Sequence, residues 1–159
     1  MQLILFRHGI AEDAGPGQPD ADRRLTAQGK HRLHDALPGL RRHLSGQDPV
    51  EIWSSPLRRA VETAEVLASG LMAGKVRQLD EIASGDLVAF LSQAEKMPAQ
   101  STVVVVGHEP TLSTWSHTLC GVWLPFKKGA AAAIDIQSFR PQNGQLAWFA
   151  QPKTLRRLK

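Results

Sequence analysis

The sequence predicts an α/β fold, a three-layer α/β/α sandwich around a mostly parallel sheet, and three observations carry that prediction. Short apolar runs of strand length recur at residues 3–6, at Val50, Ile52 and Trp53, and at residues 102–106. Segments with helical spacing of apolar residues lie between them, and two strand-like segments, residues 131–136 and 145–150, close the chain as a hairpin. Strands that alternate with helices must be joined by crossovers, which lay helices on the sheet faces and run the strands parallel.

Each element has its own reason. The run Leu3-Ile4-Leu5-Phe6 is a buried strand that ends at Arg7-His8-Gly9. A loop rich in Gly, Pro and Asp follows over residues 14–22. Leu33, Leu37, Leu40 and Leu44 then mark a helix with Thr26 as its N-cap, which Pro38 is expected to bend or split. The second strand ends at Ser54-Ser55-Pro56, with Pro56 in the first turn of a helix marked by Leu57, Ala60, Val61, Ala64 and Leu67. Residues 76–79 make a weak strand and residues 87–94 a helix. The β-branched run of residues 102–106 is the strongest strand in the chain and ends at Gly107-His108, after which residues 110–119 read as a helix. The closing hairpin turns near Pro141-Gln142-Asn143-Gly144.

At 159 residues, with 42% hydrophobic and 21% charged residues, one domain spanning 1–159 is expected, with no linker, repeat or low-complexity region. No apolar stretch approaches the roughly 20 residues of a membrane helix, and the N-terminus has no secretion-signal pattern. The single cysteine, Cys120, can form neither an intramolecular disulfide nor a cysteine metal site by itself, so a reducing cytoplasm is the expected compartment. The net charge of +4 fits an anionic substrate, and the basic C-terminal residues Lys153, Arg156, Arg157 and Lys159 are expected to be solvated. They lack the interleaved aromatics of a nucleic-acid face, so no specific nucleic-acid partner is expected, nor a membrane. A monomer is the working expectation.

In open α/β sheets ligands gather beyond the carboxyl ends of the strands. Three predicted strands deliver Arg7-His8, Ser54-Ser55 and Gly107-His108 to that edge. Alone, Arg7 and His8 read as a surface strand end and His108 as a structural histidine; their shared placement turns them into one site. Histidines and arginines without a thiolate or acidic cluster suit a phosphoryl dianion better than a metal, so neither a metal nor a cofactor is expected. Neutral imidazole can attack phosphorus while guanidiniums hold the nonbridging oxygens. Trp53 and Trp115 read as core, and His31, His34, His43 and His117 as structural or exposed.

Four ordered segments, Arg7-His8-Gly9, Arg23-Arg24-Leu25-Thr26 with Gly29, Ser55-Pro56-Leu57-Arg58-Arg59-Ala60 with Thr63, and Val106-Gly107-His108, resemble the histidine phosphatase superfamily. This is the phosphoglycerate mutase-like or RHG family. The short chain, without a cap insertion, looks most like its SixA-type phosphohistidine phosphatases. The resemblance implies that His8 is the phosphorylated nucleophile, Arg7 and Arg59 clamp the phosphoryl group, His108 is the second pocket histidine and Arg23 adds a phosphate-side arginine. Arg58 is left as a solvated helix residue. Many relatives place a proton-donating glutamate between the second and last strands; Glu81 is the nearest positional match, without the surrounding motif, and Glu109 is its rival. Ile10 stands where relatives often carry a polar or acidic residue. The implied activity is metal-independent removal of phosphate from phosphohistidine in a protein. A small phosphorylated metabolite is the alternative substrate, and a noncatalytic phosphoprotein-binding module the alternative class.

Overall fold

A computed structural model describes residues 1–44, 46 and 49–158. The chain runs β1 (Gln2–Arg7), α1 (Ala27–His43), β2 (Val50–Ser54), α2 (Arg58–Leu71), β3 (Arg77–Gln78), α3 (Asp80–Ser84), α4 (Leu87–Ala94), β4 (Thr102–Gly107), α5 (Thr111–Cys120), β5 (Ala131–Phe139), β6 (Gln142–Ala150) and α6 (Pro152–Arg157), with a 3-10 turn at Asp20–Asp22. Six strands form one sheet in the order β3-β2-β4-β1-β5-β6. The first four are mutually parallel; β5 runs antiparallel to both β1 and β6.

The central strands are buried on both faces, which is why they read as continuous apolar runs rather than alternating ones. Leu3, Leu5, Val103 and Val105 face a core completed by Ile82, Phe90, Trp115 and Leu119 of α3, α4 and α5. Ile4, Phe6, Val104 and Val106 face the opposite core, completed by Leu33, Leu37 and Leu40 of α1, Ala60, Ala64 and Leu67 of α2, and Leu155 of α6. The strand period of two thus divides each apolar run between two helical layers. Trp53 and Trp115 are fully enclosed core residues.

Thr26 caps α1 as its sequence position implies, its hydroxyl accepting from the Gly29 N–H at 2.9 Å. Pro38 does not split the helix, which continues to His43. The ring stands on the exposed side, while Leu37 and Leu40 on the inner side hold the helix to the sheet. Pro56 lies just outside α2, which starts at Arg58, because Ser55 forms a turn whose hydroxyl accepts from the Leu57 N–H. The closing hairpin turns at Arg140-Pro141, so Gln142, Asn143 and Gly144 already pair with β5.

The C-terminal segment departs from the solvated tail expected of it. Lys153 and Arg157 are exposed, but Leu155 between them is fully buried and docks α6 on α1; Lys159 lies outside the described residues. The approach is backbone to backbone: a Cβ built on Gly39 would stand 2.1 Å from the Leu155 carbonyl oxygen. Among the described residues no helix is long and apolar enough to cross a membrane.

Gly39→Ala sets two effects against each other. Mid-helix alanine gains about 1 kcal/mol over glycine, whereas forcing a methyl group into a packed backbone contact costs about 1–3 kcal/mol. The contact should win, lowering the thermal midpoint by a few degrees in a calorimetric scan; an unchanged or raised midpoint would mean that α6 yields freely.

Candidate functional site

The parallel register brings the predicted site residues to one edge. Arg7 pairs with Gly107 and Ser54 with Val106. The pairing continues one residue further, with the His8 N–H donating to the Gly107 carbonyl at 3.1 Å and the Ser55 N–H to the Val106 carbonyl at 3.0 Å. His8, Ser55 and His108 therefore leave three adjacent strands together. The two imidazole rings lie 5.1 Å apart between centroids, and His108 Nε2 is 2.7 Å from the Ser55 hydroxyl.

The ring of His8 is oriented by its own loop. Its Nδ1 lies 2.7 Å from the Gly9 carbonyl oxygen, a contact that requires a proton on Nδ1 and leaves the lone pair on Nε2. The loop is tied to α2 through Thr63, whose buried hydroxyl accepts from the Gly9 N–H at 3.0 Å and donates to the Arg59 carbonyl at 2.7 Å. On the other side, the Gly129 N–H donates to the carbonyls of Arg7 and His8.

His8 is only 5% exposed, and burial holds its pKa down to about 3. The bond to the Gly9 carbonyl opposes this, while nearby His108, Arg59 and Arg7 push in the same direction as burial. His108 is lowered to about 4, again by burial first and then by Arg59, with Asp20 opposing. Both imidazoles are therefore neutral at ordinary pH. Positive charge at the site comes from guanidiniums. Arg7 donates to the Phe126 carbonyl at 2.7 Å, and its pKa is lowered by burial despite the nearby Glu109 carboxylate. Arg59 is 7% exposed. Among the described residues the Nε of Arg7, the Nε of Arg59 and the Nδ1 of His108 are buried without a hydrogen-bond partner.

Asp20 was not singled out by the sequence, yet its carboxylate joins two of these cations. Arg59 donates to its backbone oxygen at 3.0 Å and to Oδ2 at 3.1 Å, while Arg23 Nε donates to Oδ1 at 2.9 Å. Its own desolvation would raise the Asp20 pKa, but Arg59 and Arg23 together hold it below the usual carboxylate value. Asp20 lies in a loop rich in Gly, Pro and Asp, where only its spacing of three from Arg23 hints at a role. Its pairing with Arg59, 39 positions away, has no local signature.

The structure treats the two glutamate candidates differently. Glu81 is half-buried in α3, beside Ile82, which packs under Gly107, and among the described residues its carboxylate makes no hydrogen bond or ion pair. Glu109 is felt by Arg7 and accepts from the Ser113 N–H at 2.9 Å, capping the start of α5. Arg58 is exposed and reaches Glu62 at 3.4 Å. His31 and His34 are exposed, His43 packs on Trp148, and exposed His117 stacks on Trp123. Among the described residues no group of three or more His, Cys, Asp or Glu is placed to hold a metal ion.

Residues 3–94 match the histidine phosphatase superfamily (branch 1). The chain belongs to that superfamily. An uncharacterized protein of Picosynechococcus sp. (strain ATCC 27264 / PCC 7002 / PR-6) is 33% identical over 98% of this chain and 99% of its own. Among solved structures, the protein histidine phosphatase SixA complexed with tungstate is similar with a TM-score of 0.80 at 24% identity, over 98% of this chain and 99% of that one. A mycobacterial glucosyl-3-phosphoglycerate phosphatase is similar with a TM-score of 0.72 at 18% identity, over 94% and 99%. At these identities the two structures share the fold of this superfamily member.

Two outcomes follow from the charges. In the folded chain His8 and His108 resist protonation down to about pH 3 and about pH 4, whereas in the unfolded chain both take protons near 6.5. The unfolded state thus binds more protons across that window, and stability should fall as pH drops from about 6.5 towards 4. Urea titrations should show this slope, and a His8→Asn/His108→Asn double variant should flatten it; an equal slope in both proteins would contradict the neutral pair. For Asp20→Asn, which frees two guanidiniums from an exposed carboxylate, inorganic phosphate should bind about two- to five-fold more tightly. Weaker binding would show that Asp20 orders the arginines rather than competing for them.

Proposed function

We propose that this chain is a metal-independent phosphatase that forms a covalent phosphohistidine on His8 and removes phosphate from phosphohistidine in a protein. The observation that carries the reading is the state of His8: buried, neutral, with Nδ1 held on the Gly9 carbonyl and the lone pair on Nε2. That is a nucleophile rather than a phosphate-binding cation.

Nε2 of His8 attacks phosphorus and forms the N–P bond as the bond from phosphorus to the leaving atom breaks. The leaving atom then takes a proton. Water displaces His8 in a second step, releasing inorganic phosphate and restoring the neutral imidazole. Arg7 and Arg59 hold nonbridging oxygens, with Arg23 at the outer side, and supply the fixed positive charge that phosphoryl transfer requires. His108 adds a further contact. A bound dianion opposes the effect of the guanidiniums on His108 and raises its pKa, so that it can carry a proton while phosphate is present. Glu81 and Glu109 are the candidates for protonating an oxygen leaving group. An imidazole leaving from a labile phosphoramidate has less need of such an acid.

The SixA likeness favours a phosphoprotein substrate. The likeness to the glucosyl-3-phosphoglycerate phosphatase supports the second reading, a small phosphorylated metabolite. A noncatalytic phosphoprotein binder has no use for a neutral, oriented imidazole. The experiment supplies labelled phosphohistidine protein and, separately, small phosphate esters, both with chelator present. The label should pass to an acid-labile site on His8, and His8→Ala should lower turnover by at least about a thousand-fold. Full activity in His8→Ala, or complete loss in chelator, would refute the mechanism; faster turnover of the esters would move the substrate to the second reading.

A further inference from the structure

Beside the His8 loop lies a small cleft that the mechanism does not use. Gly9, Ile10, Gly29 and Gly129 line it, and its charged lining is Arg32 of α1, Lys128 and Arg156 of α6. Among the described residues no acidic one lines it. Among the described residues none of these three cations has an ion-pair or hydrogen-bond partner through its side chain, whereas Arg23, Arg58, Arg59 and Arg140 are all paired. Ile10, in the lining, brings no compensating charge.

The placement is fixed by backbone. Lys128 precedes Gly129, whose N–H holds the carbonyls of Arg7 and His8. Gly29 is pressed so close to the loop that a Cβ there would stand 2.3 Å from the Ile10 oxygen. β6 ends beside the start of β5, and α6 begins at once, so Arg156 belongs to the same sheet edge as His8. Three cationic residues around one cleft beside the His8 loop favour a second anion.

The cleft is small, about 30 Å³, and open to solvent, so it can take in an anionic group carried by a larger molecule. On a protein or a small phosphorylated acid that group is a carboxylate, which accepts hydrogen bonds from Arg and Lys. We propose that Arg32, Lys128 and Arg156 form a carboxylate subsite that reads an acidic group on the substrate next to its phosphoryl group. The inference rests on the reading of His8 as the phosphoryl acceptor. The carboxylate is either a Glu or Asp side chain flanking the phosphohistidine of a protein or the carboxylate of a small phosphorylated acid.

The test reads binding without turnover. One pair of probes is a peptide bearing a non-hydrolysable phosphonate analogue of phosphohistidine flanked by Glu, and the same peptide flanked by Gln. The other pair is 3-phosphoglycerate and glycerol 3-phosphate. The intact chain should bind the acidic member of one pair about ten-fold more tightly, as expected for a few partly exposed charge-assisted contacts. That preference should vanish in Arg32→Gln/Arg156→Gln, whose changes lie outside both cores. Preference within the peptide pair assigns the carboxylate to a protein, and preference within the second pair to a small acid. Equal binding within both pairs, or a preference that survives in the variant, overturns the subsite. A chain that binds with this preference but never carries phosphate on His8 would overturn the phosphatase reading and leave the subsite standing.

Discussion

Everything at the site depends on the parallel register of β1, β4 and β2. Because Arg7 lies opposite Gly107 and Ser54 opposite Val106, the residues that follow each strand surface at the same level. A slip of one residue would also exchange the two sets of side chains that fill the helical layers, moving Ile4 and Phe6 into the space built for Leu3 and Leu5. The core therefore enforces the register, and the register delivers His8, Ser55 and His108. Fold and site are specified by the same apolar alternation.

Charge at that edge is arranged around a conflict. Buried Arg59 and half-buried Arg7 suit the phosphoryl dianion of the proposed substrate, but each added positive charge raises the cost of the next. The histidines resolve part of the conflict by staying neutral, which also leaves His8 the lone pair that the proposed attack needs. Asp20 resolves another part by lying against Arg59 and Arg23 from an exposed turn. An exposed carboxylate on a nearly buried guanidinium offsets charge in the resting protein, and because Asp20 belongs to neither core its release would disturb neither.

Much of this was legible in the sequence because it rests on local patterns. The run of residues 103–106 can hardly be other than a doubly buried strand, Thr26 announces the start of α1, and each chemically interesting residue directly follows a strand. What could not be read is tertiary. Leu155 is one apolar residue among basic ones, and only the facing Gly39 makes it an anchor. α3 has five residues, too few to show a period. Pro38 signals a break that burial of its neighbours overrides, and Asp20 meets Arg59 only after the chain has folded. Glu81 shows the converse: its position suggested a role that no contact in the fold supports or removes.

In the mechanism we propose, neutral His8 attacks phosphorus while Arg7, Arg59 and His108 hold the oxygens. A crystal structure with orthovanadate tests it most directly. Vanadium should be bonded to His8 Nε2, its oxygens should contact Arg7, Arg59 and His108, and the Asp20 carboxylate should be drawn off Arg59. Vanadate bound away from His8, with Asp20 still bridging Arg59 and Arg23, would contradict it.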